Sequence, residues 1–351
     1  PPRSTPSNSS AASDVYKRQL LDCSNWKELK LDHNLDGFKL AFRPPYTTIK
    51  LFSGRAGWDR LSNIKGADLE LGVRRLDVGG SYVTYQLEDY KEELASGRAT
   101  IRLPFLRSSV EYAQRHPLGG EDGNATYLTL SWNFLASNLF LEYKRYDNML
   151  FRTAQAQYNN APWGLKEPEW FLLSQKVYSI NYNNEEGIRL SLFTPVVEQI
   201  YATLDIAYSG EISEMDRIEE YYLELERSIM EGDAKLILDY QQREFDLVTG
   251  ILYFNPYVSD DLALEMEAGV SRIDKVSKLD YNYNTLAELT WRDWLSVGVN
   301  VNRVENEDGV MGSLGVTLPQ GGDINLLFGK YPGGVLCSGG VCRQLTSFKG
   351  I

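Results

Sequence analysis

From Gly37 onward, apolar and polar residues alternate with a period of two, the repeat of a strand whose successive side chains point to opposite faces. Ala67, Leu69, Leu71 and Val73 point one way while Asp68, Glu70, Gly72 and Arg74 point the other. The same alternation sets Leu128, Leu130, Trp132 and Phe134 against Thr129, Ser131 and Asn133, and Leu204 and Ile206 against Asp205. It returns in Leu262 to Ser271, where Glu265 and Glu267 oppose the aliphatics, and in Leu295 to Asn302, where valines alternate with Asn300 and Asn302. These segments run to roughly 7 to 11 residues, the length a tilted strand needs to cross a bilayer and longer than an ordinary strand.

The runs are broken by turn chemistry at Arg43-Pro44-Pro45, Asp77 to Gly80, Glu231-Gly232-Asp233, Pro256 to Asp261 and Pro319 to Asp323. Longer connections are expected at Glu88 to Gly97, His116 to Asn124, Arg152 to Trp170, Ser209 to Arg217, Arg272 to Asn282 and Tyr331 to Ser347. In the second half short and long connections alternate, as they do when one rim of a barrel bears tight periplasmic turns and the other bears extracellular loops. That count makes Pro195 to Gln199, Ile229 to Asp233, Pro256 to Asp261, Arg292 to Asp293 and Pro319 to Asp323 periplasmic, and Tyr331 to Ser347 extracellular. Ser213 to Met230 fits two patterns: Met215, Ile218, Tyr222, Leu225 and Ile229 have helical spacing, while Tyr221, Leu223 and Leu225 alternate with Tyr222, Glu224 and Glu226. The strand reading is preferred because another alternating run follows after Gly232-Asp233.

A soluble sandwich would give the same alternation with the faces exchanged. The count of segments favours a barrel, since roughly 16 to 18 strands follow one uninterrupted pattern, too many for a sandwich of ~100 residues. The expected fold is therefore all-β, an antiparallel up-and-down transmembrane β-barrel, incomplete at both ends. Its aliphatic row would face lipid and its polar row an enclosed lumen, and closure would leave no unpaired backbone in hydrocarbon. With 22 tyrosines and 7 tryptophans, aromatic rings suit headgroup depth near strand ends, and Tyr221, Tyr253, Tyr257, Trp291 and Trp294 are the candidate interface residues.

Composition narrows the chemistry. A formal charge of -12 argues against nucleic acid as a partner. Two histidines and three cysteines leave little material for a zinc cluster or imidazole catalysis, so neither cofactor nor metal is expected. The opening residues Pro1 to Gln19 resemble the in-frame translation of a transposase-type sequencing adaptor and are expected to be disordered. Residues 20–36 would then be the remnant of an upstream loop or strand, and 37–351 a barrel domain lacking its first strands and its closing strand. A signal peptide would have stood upstream of the adaptor. Cys23 follows Asp22 rather than a small residue and has no apolar stretch before it, so it does not make a lipoprotein box.

The sharpest local motif is CSGGVCR, Cys337 to Arg343. Two cysteines across a Gly-Gly turn reach disulfide distance, which an oxidising cell surface would preserve. A redox or metal role would need a base or further ligands, and no histidine lies near in sequence. At this motif the chain resembles an uncharacterised family of Gram-negative outer-membrane barrel proteins, in which such a loop precedes the closing strand. Leu35 to Arg55 and Tyr158 to Pro195 echo the same family. The resemblance implies further strands upstream and a final strand after Ser347, and it brings no activity or catalytic residue with it.

A barrel-borne hydrolase would need a base, and His116 is the sole imidazole within the sheet region, so no enzyme is expected. Asp68, Glu70, Arg74, Glu142, Lys144, Asp205, Asp239, Glu265 and Glu267 are the candidate lumen-facing charges. They would make a mainly acidic interior that attracts small cations or small solutes, or else a network of paired charges that fills a structural or binding barrel. The expected partner is outer-membrane lipid, with no protein partner identifiable. The alternative is a secreted or surface-exposed soluble all-β binding protein.

Overall fold

The computed structural model describes residues 36–56, 62–87, 90–149, 170–175, 184–212, 217–275, 278–292, 294–318, 323–331, 334–338, 341–345 and 348–350. The adaptor-like opening, Cys23 and most of the Arg152 to Trp170 connection lie outside the described residues.

The chain divides into two compact units. The first comprises Pro1–Gly164, Ile180–Leu190 and Ser209–Met215. In it β1 (Asp36–Phe42), β2 (Thr47–Ala56), β3 (Ser62–Val73), β4 (Leu76–Leu87), β5 (Tyr90–Arg102), β6 (Leu106–Pro117), β7 (Gly123–Phe134) and β8 (Ser137–Asp147) each pair antiparallel with the next. Residues of β9 (Asn184–Val197) and β10 (Ile200–Gly210) belong to both units.

The second unit comprises Leu165–Ser179, Ser191–Tyr208 and Asp216–Ile351. It continues the up-and-down order through β11 (Arg217–Ile229), β12 (Gly232–Gln242), β13 (Asp246–Asn255), β15 (Leu262–Lys275), β16 (Lys278–Trp291), β17 (Leu295–Val304), β18 (Glu307–Thr317) and β19 (Asp323–Tyr331). The three-residue β14 (Tyr257–Ser259) adds to β15, and β22 (Phe348–Gly350) adds to β19. A separate ladder joins β20 (Gly334–Ser338) to β21 (Val341–Leu345), with Cys337 directly opposite Cys342. Among the described residues the unit also holds a single-turn helix, α1 (Phe171–Ser174).

The fold is all-β and antiparallel, and its faces carry the chemistry the period-two pattern assigns them. On β17, Val297 and Val299 are 53% and 47% exposed, while Asn300 and Asn302 on the opposite face are 9% and 0% exposed. The inversion recurs in both units: Leu69, Val78, Val110, Leu204, Leu238, Leu252 and Val270 are exposed, whereas Asp68, Glu111, Glu142, Glu185, Glu220, Asp239 and Glu267 are buried. Aromatic residues bracket the aliphatic band. In the second unit Tyr221, stacked on Tyr240 at 6.1 Å, and Tyr281 lie toward one set of strand ends, and Trp291 and Trp294 lie at the other. The ten residue steps from Tyr281 to Trp291 rise ~33 Å along the strand, which a tilt of ~40° reduces to ~25 Å, the height of an outer-membrane apolar band.

Several expectations are corrected. Among the described residues twenty strands follow the up-and-down order and two more form the separate ladder, above the expected 16 to 18. The twenty include the three-residue β14 and β22, and Glu88 to Gly97 and Arg272 to Asn282, expected as longer connections, lie largely within β5, β15 and β16. Both sets of strand ends therefore carry short turns. Asp77 to Gly80 is not a turn but the start of β4, and the reversal occurs at Arg74-Arg75, where Arg74 has φ 52°. Gly79 is there for clearance: a Cβ on it would meet the Leu69 carbonyl oxygen at 2.8 Å and the Arg98 side chain at 3.0 Å. Residues 217–229 are strand, as the alternation requires.

Candidate functional site

The buried polar face of the first unit is built from cross-strand ion pairs. Arg98 of β5 reaches over Gly79 to Asp68 at 2.7 Å and Glu70 at 3.3 Å, and Ser81 donates to Asp68 at 2.7 Å. Nearer the strand ends, Arg115 pairs with Glu92 and also donates to the Asn148 carbonyl at 2.9 Å. Lys144 and Glu185 form a pair in which neither side chain is exposed, and Ser209 donates a further hydrogen bond to Glu185 at 2.8 Å. Tyr127 donates to Glu142 at 2.7 Å. Asp68, Glu92, Glu142 and Glu185 are each buried with a donor, the condition under which a charge tolerates removal from water, and Glu70 is half-buried.

The second unit has the same facing but a different charge balance. Gln241 donates to both Glu220 at 2.9 Å and Asp239 at 3.0 Å, and Asn284 donates to Glu267 at 2.7 Å. Lys235 is shared by Glu224 and Glu226 at 3.2 and 3.1 Å. Glu265 stands directly opposite Glu288 in the β15–β16 register, two like charges on one face. Amides and hydroxyls supply most of the donors here: Asn300 donates to Asn284, and Thr249 and Ser271 share a hydrogen bond. Beyond the tyrosines, at the β15–β16 tip, a hydrogen bond from Lys278 holds the Asp280 carboxyl below the usual carboxylate range.

Of the nine charges singled out from sequence, Asp68, Glu142, Lys144, Asp205, Asp239 and Glu267 are buried, and Glu70 and Glu265 are half-buried on the same faces. Arg74 is an exposed turn residue instead, because the hairpin reverses one position earlier than its alternation suggests. Among the candidate interface aromatics, Tyr221, Trp291 and Trp294 are exposed on the aliphatic side, and Tyr257 is half-buried in β14. Tyr253 lies on the polar face and packs edge-on against Trp170 at 5.2 Å, since it shares the parity of buried Thr249 and Ile251. The sequence reading also passed over an apolar island on this face, formed by Tyr222, Ile237 and Ile251 around α1 residues Leu172 and Leu173. Its signal is lost alternation: Leu236-Ile237-Leu238 and Ile251 to Phe254 are unbroken apolar runs.

No family model matches the chain, and no curated protein matches it. Among solved structures, a chain described as a bacterial polysaccharide outer membrane secretin is similar with a TM-score of 0.37 and 12% identity, over 78% of this chain and 89% of that one.

Proposed function

We propose that the protein is a Gram-negative outer-membrane β-barrel whose aliphatic face meets lipid and whose polar face surrounds a passive path for small cations. The observation that carries this reading is the inverted burial: aliphatic side chains are exposed and carboxylates are buried on strand after strand. In water such a surface would present far more contiguous apolar area than a soluble monomer carries. In lipid it is the favourable arrangement. Cation preference is supported by the acid excess of the second unit, where Glu265 and Glu288 oppose each other and most donors are uncharged. A structural barrel without conduction is the second reading, favoured by the ion-paired first unit, where Arg98, Arg115 and Lys144 each pair with carboxylates.

Two measurements test the proposal. The protein should float with phospholipid vesicles and run with heat-modifiable mobility on a gel, whereas a soluble all-β binding protein would stay in the aqueous phase. In planar bilayers under a potassium chloride gradient, the reversal potential should shift toward that of potassium. An anion-ward shift would sink the cation reading, and inserted but silent protein would favour the structural barrel.

A further inference from the structure

On the polar face of the second unit, the register makes one row of Glu224, Ile237, Ile251, Gly269 and Asn284 across five strands. Acids lie on both sides of this row along the strands, with Glu220 and Asp239 toward one set of ends and Glu265 and Glu288 toward the other. The middle of the row is apolar or empty of side chain, an arrangement that would be unfavourable if it faced water. It is covered by α1. Leu172 and Leu173 are 2% and 6% exposed among Tyr222, Ile237 and Ile251. Gly269 forms the slot, since a Cβ there would lie 2.8 Å from Leu172 Cδ1 and 3.0 Å from Ile251 Cγ1. Trp170 stacks edge-on with Tyr253 and its indole N–H lies 3.4 Å from the Tyr222 hydroxyl, while Phe171 meets Tyr331 at 5.9 Å.

We infer that α1 is an internal stopper: a single helical turn held by its apolar side chains across the line of carboxylates, where it obstructs passage between the two acidic zones. The dock is made for this turn, because the residues that break the polar face are the ones that touch it. The hold is non-covalent and small, resting on two leucines and two aromatic rings, so the turn can be dislodged without dismantling a strand. Both ends of the cation path proposed above remain acidic when it is dislodged. The inference rests on that path, and the test separates the two.

The full chain is reconstituted in planar bilayers with potassium chloride, alongside two variants. The Leu172→Asp/Leu173→Asp double variant makes the turn repel Glu224, and Gly269→Leu fills the slot from the strand side. Heat-modifiable gel mobility shows for each that the barrel has folded, and a variant that fails this check is replaced by Leu172→Ala/Leu173→Ala. The stopper predicts a severalfold larger single-channel conductance in folded variants of both kinds than in the unaltered protein. Equal conductance in all of them overturns it, leaving the cation path standing. Silence of the unaltered protein and of every folded, inserted variant overturns both the stopper and the path, and failure to insert overturns the membrane reading beneath them.

Discussion

At the residue scale, the first unit depends on charges that are buried but matched. Lys144 and Glu185 are each fully buried, and their attraction offsets the loss of hydration only while both are present. Lys144→Met should therefore destabilise the protein by about 3–5 kcal/mol, because it takes the buried cation away from Glu185 while leaving that carboxylate out of water. Adding Glu185→Leu should recover most of that loss, since two apolar side chains replace the pair without an orphan. Urea midpoints followed by tryptophan fluorescence distinguish the cases: a single variant as stable as the double one would mean that the site is wetter than its burial indicates. Asp68, Glu142 and Lys144 were legible as one-sided charges from alternation alone. Their partners were not, because Arg98 reaches Asp68 across the clearance at Gly79, and Glu185 lies 41 residues along the chain from Lys144, too far for alternation to set their register.

At the scale of elements, turn geometry is less favourable than strand geometry. Met230 and Glu231 join β11 to β12 with φ of 50° and 60°, a left-handed pair that side-chain-bearing residues adopt at a cost. Met230→Asn with Glu231→Gly supplies the residues that such a two-residue hairpin favours and should stabilise the protein by about 1 kcal/mol, read as a higher urea midpoint with an unchanged slope. No gain would mean that the hairpin is set by the Leu223 to Ile229 ladder rather than by its turn. The β20–β21 hairpin makes a second prediction. Residues directly opposite in an antiparallel ladder have Cα atoms ~4.5–5.5 Å apart, within the range a disulfide spans. Cys337 and Cys342 occupy such positions, so oxidised protein unfolded in iodoacetamide should alkylate at Cys23 alone, and reduced protein at all three cysteines. Alkylation at all three without reductant would remove the bridge. Period two sufficed to read β17, where Val297, Val299 and Val301 alternate with polar residues or glycine, but β5 and the β15–β16 tip were missed because charges there follow the alternation past the aliphatic band. Trp170 closes an expected connection and Phe171 to Leu173 have no expected element of their own, because their partners lie on strands far along the chain.

For the whole molecule, the question is which solvent the aliphatic face meets, and depth answers it. Val299 lies at the centre of the outward row of β17, with Val297 and Val301 on either side, whereas Trp294 lies at the strand ends beside Trp291. Arginine on a lipid-facing barrel position costs ~2–4 kcal/mol at the midplane and ~0–1 kcal/mol near the interfaces, because its charge must reach headgroups or water. On a surface that meets water, exposed substitutions at both positions would stay within about 0.5 kcal/mol of the unaltered protein. Val299→Arg should therefore lower the stability of vesicle-inserted protein by ~2–4 kcal/mol in urea titrations, while Trp294→Arg changes it by no more than ~1 kcal/mol. The contrast between the two positions carries the test, since a general loss of β propensity would affect Val299 without regard to lipid. Replacing Val299 with threonine, which keeps the branched shape and adds no charge, isolates that contribution. If Val299→Arg and Val299→Thr prove equally mild, the exposed valines, leucines and isoleucines of both units face water, and burial of the carboxylates would need a different enclosure from a bilayer.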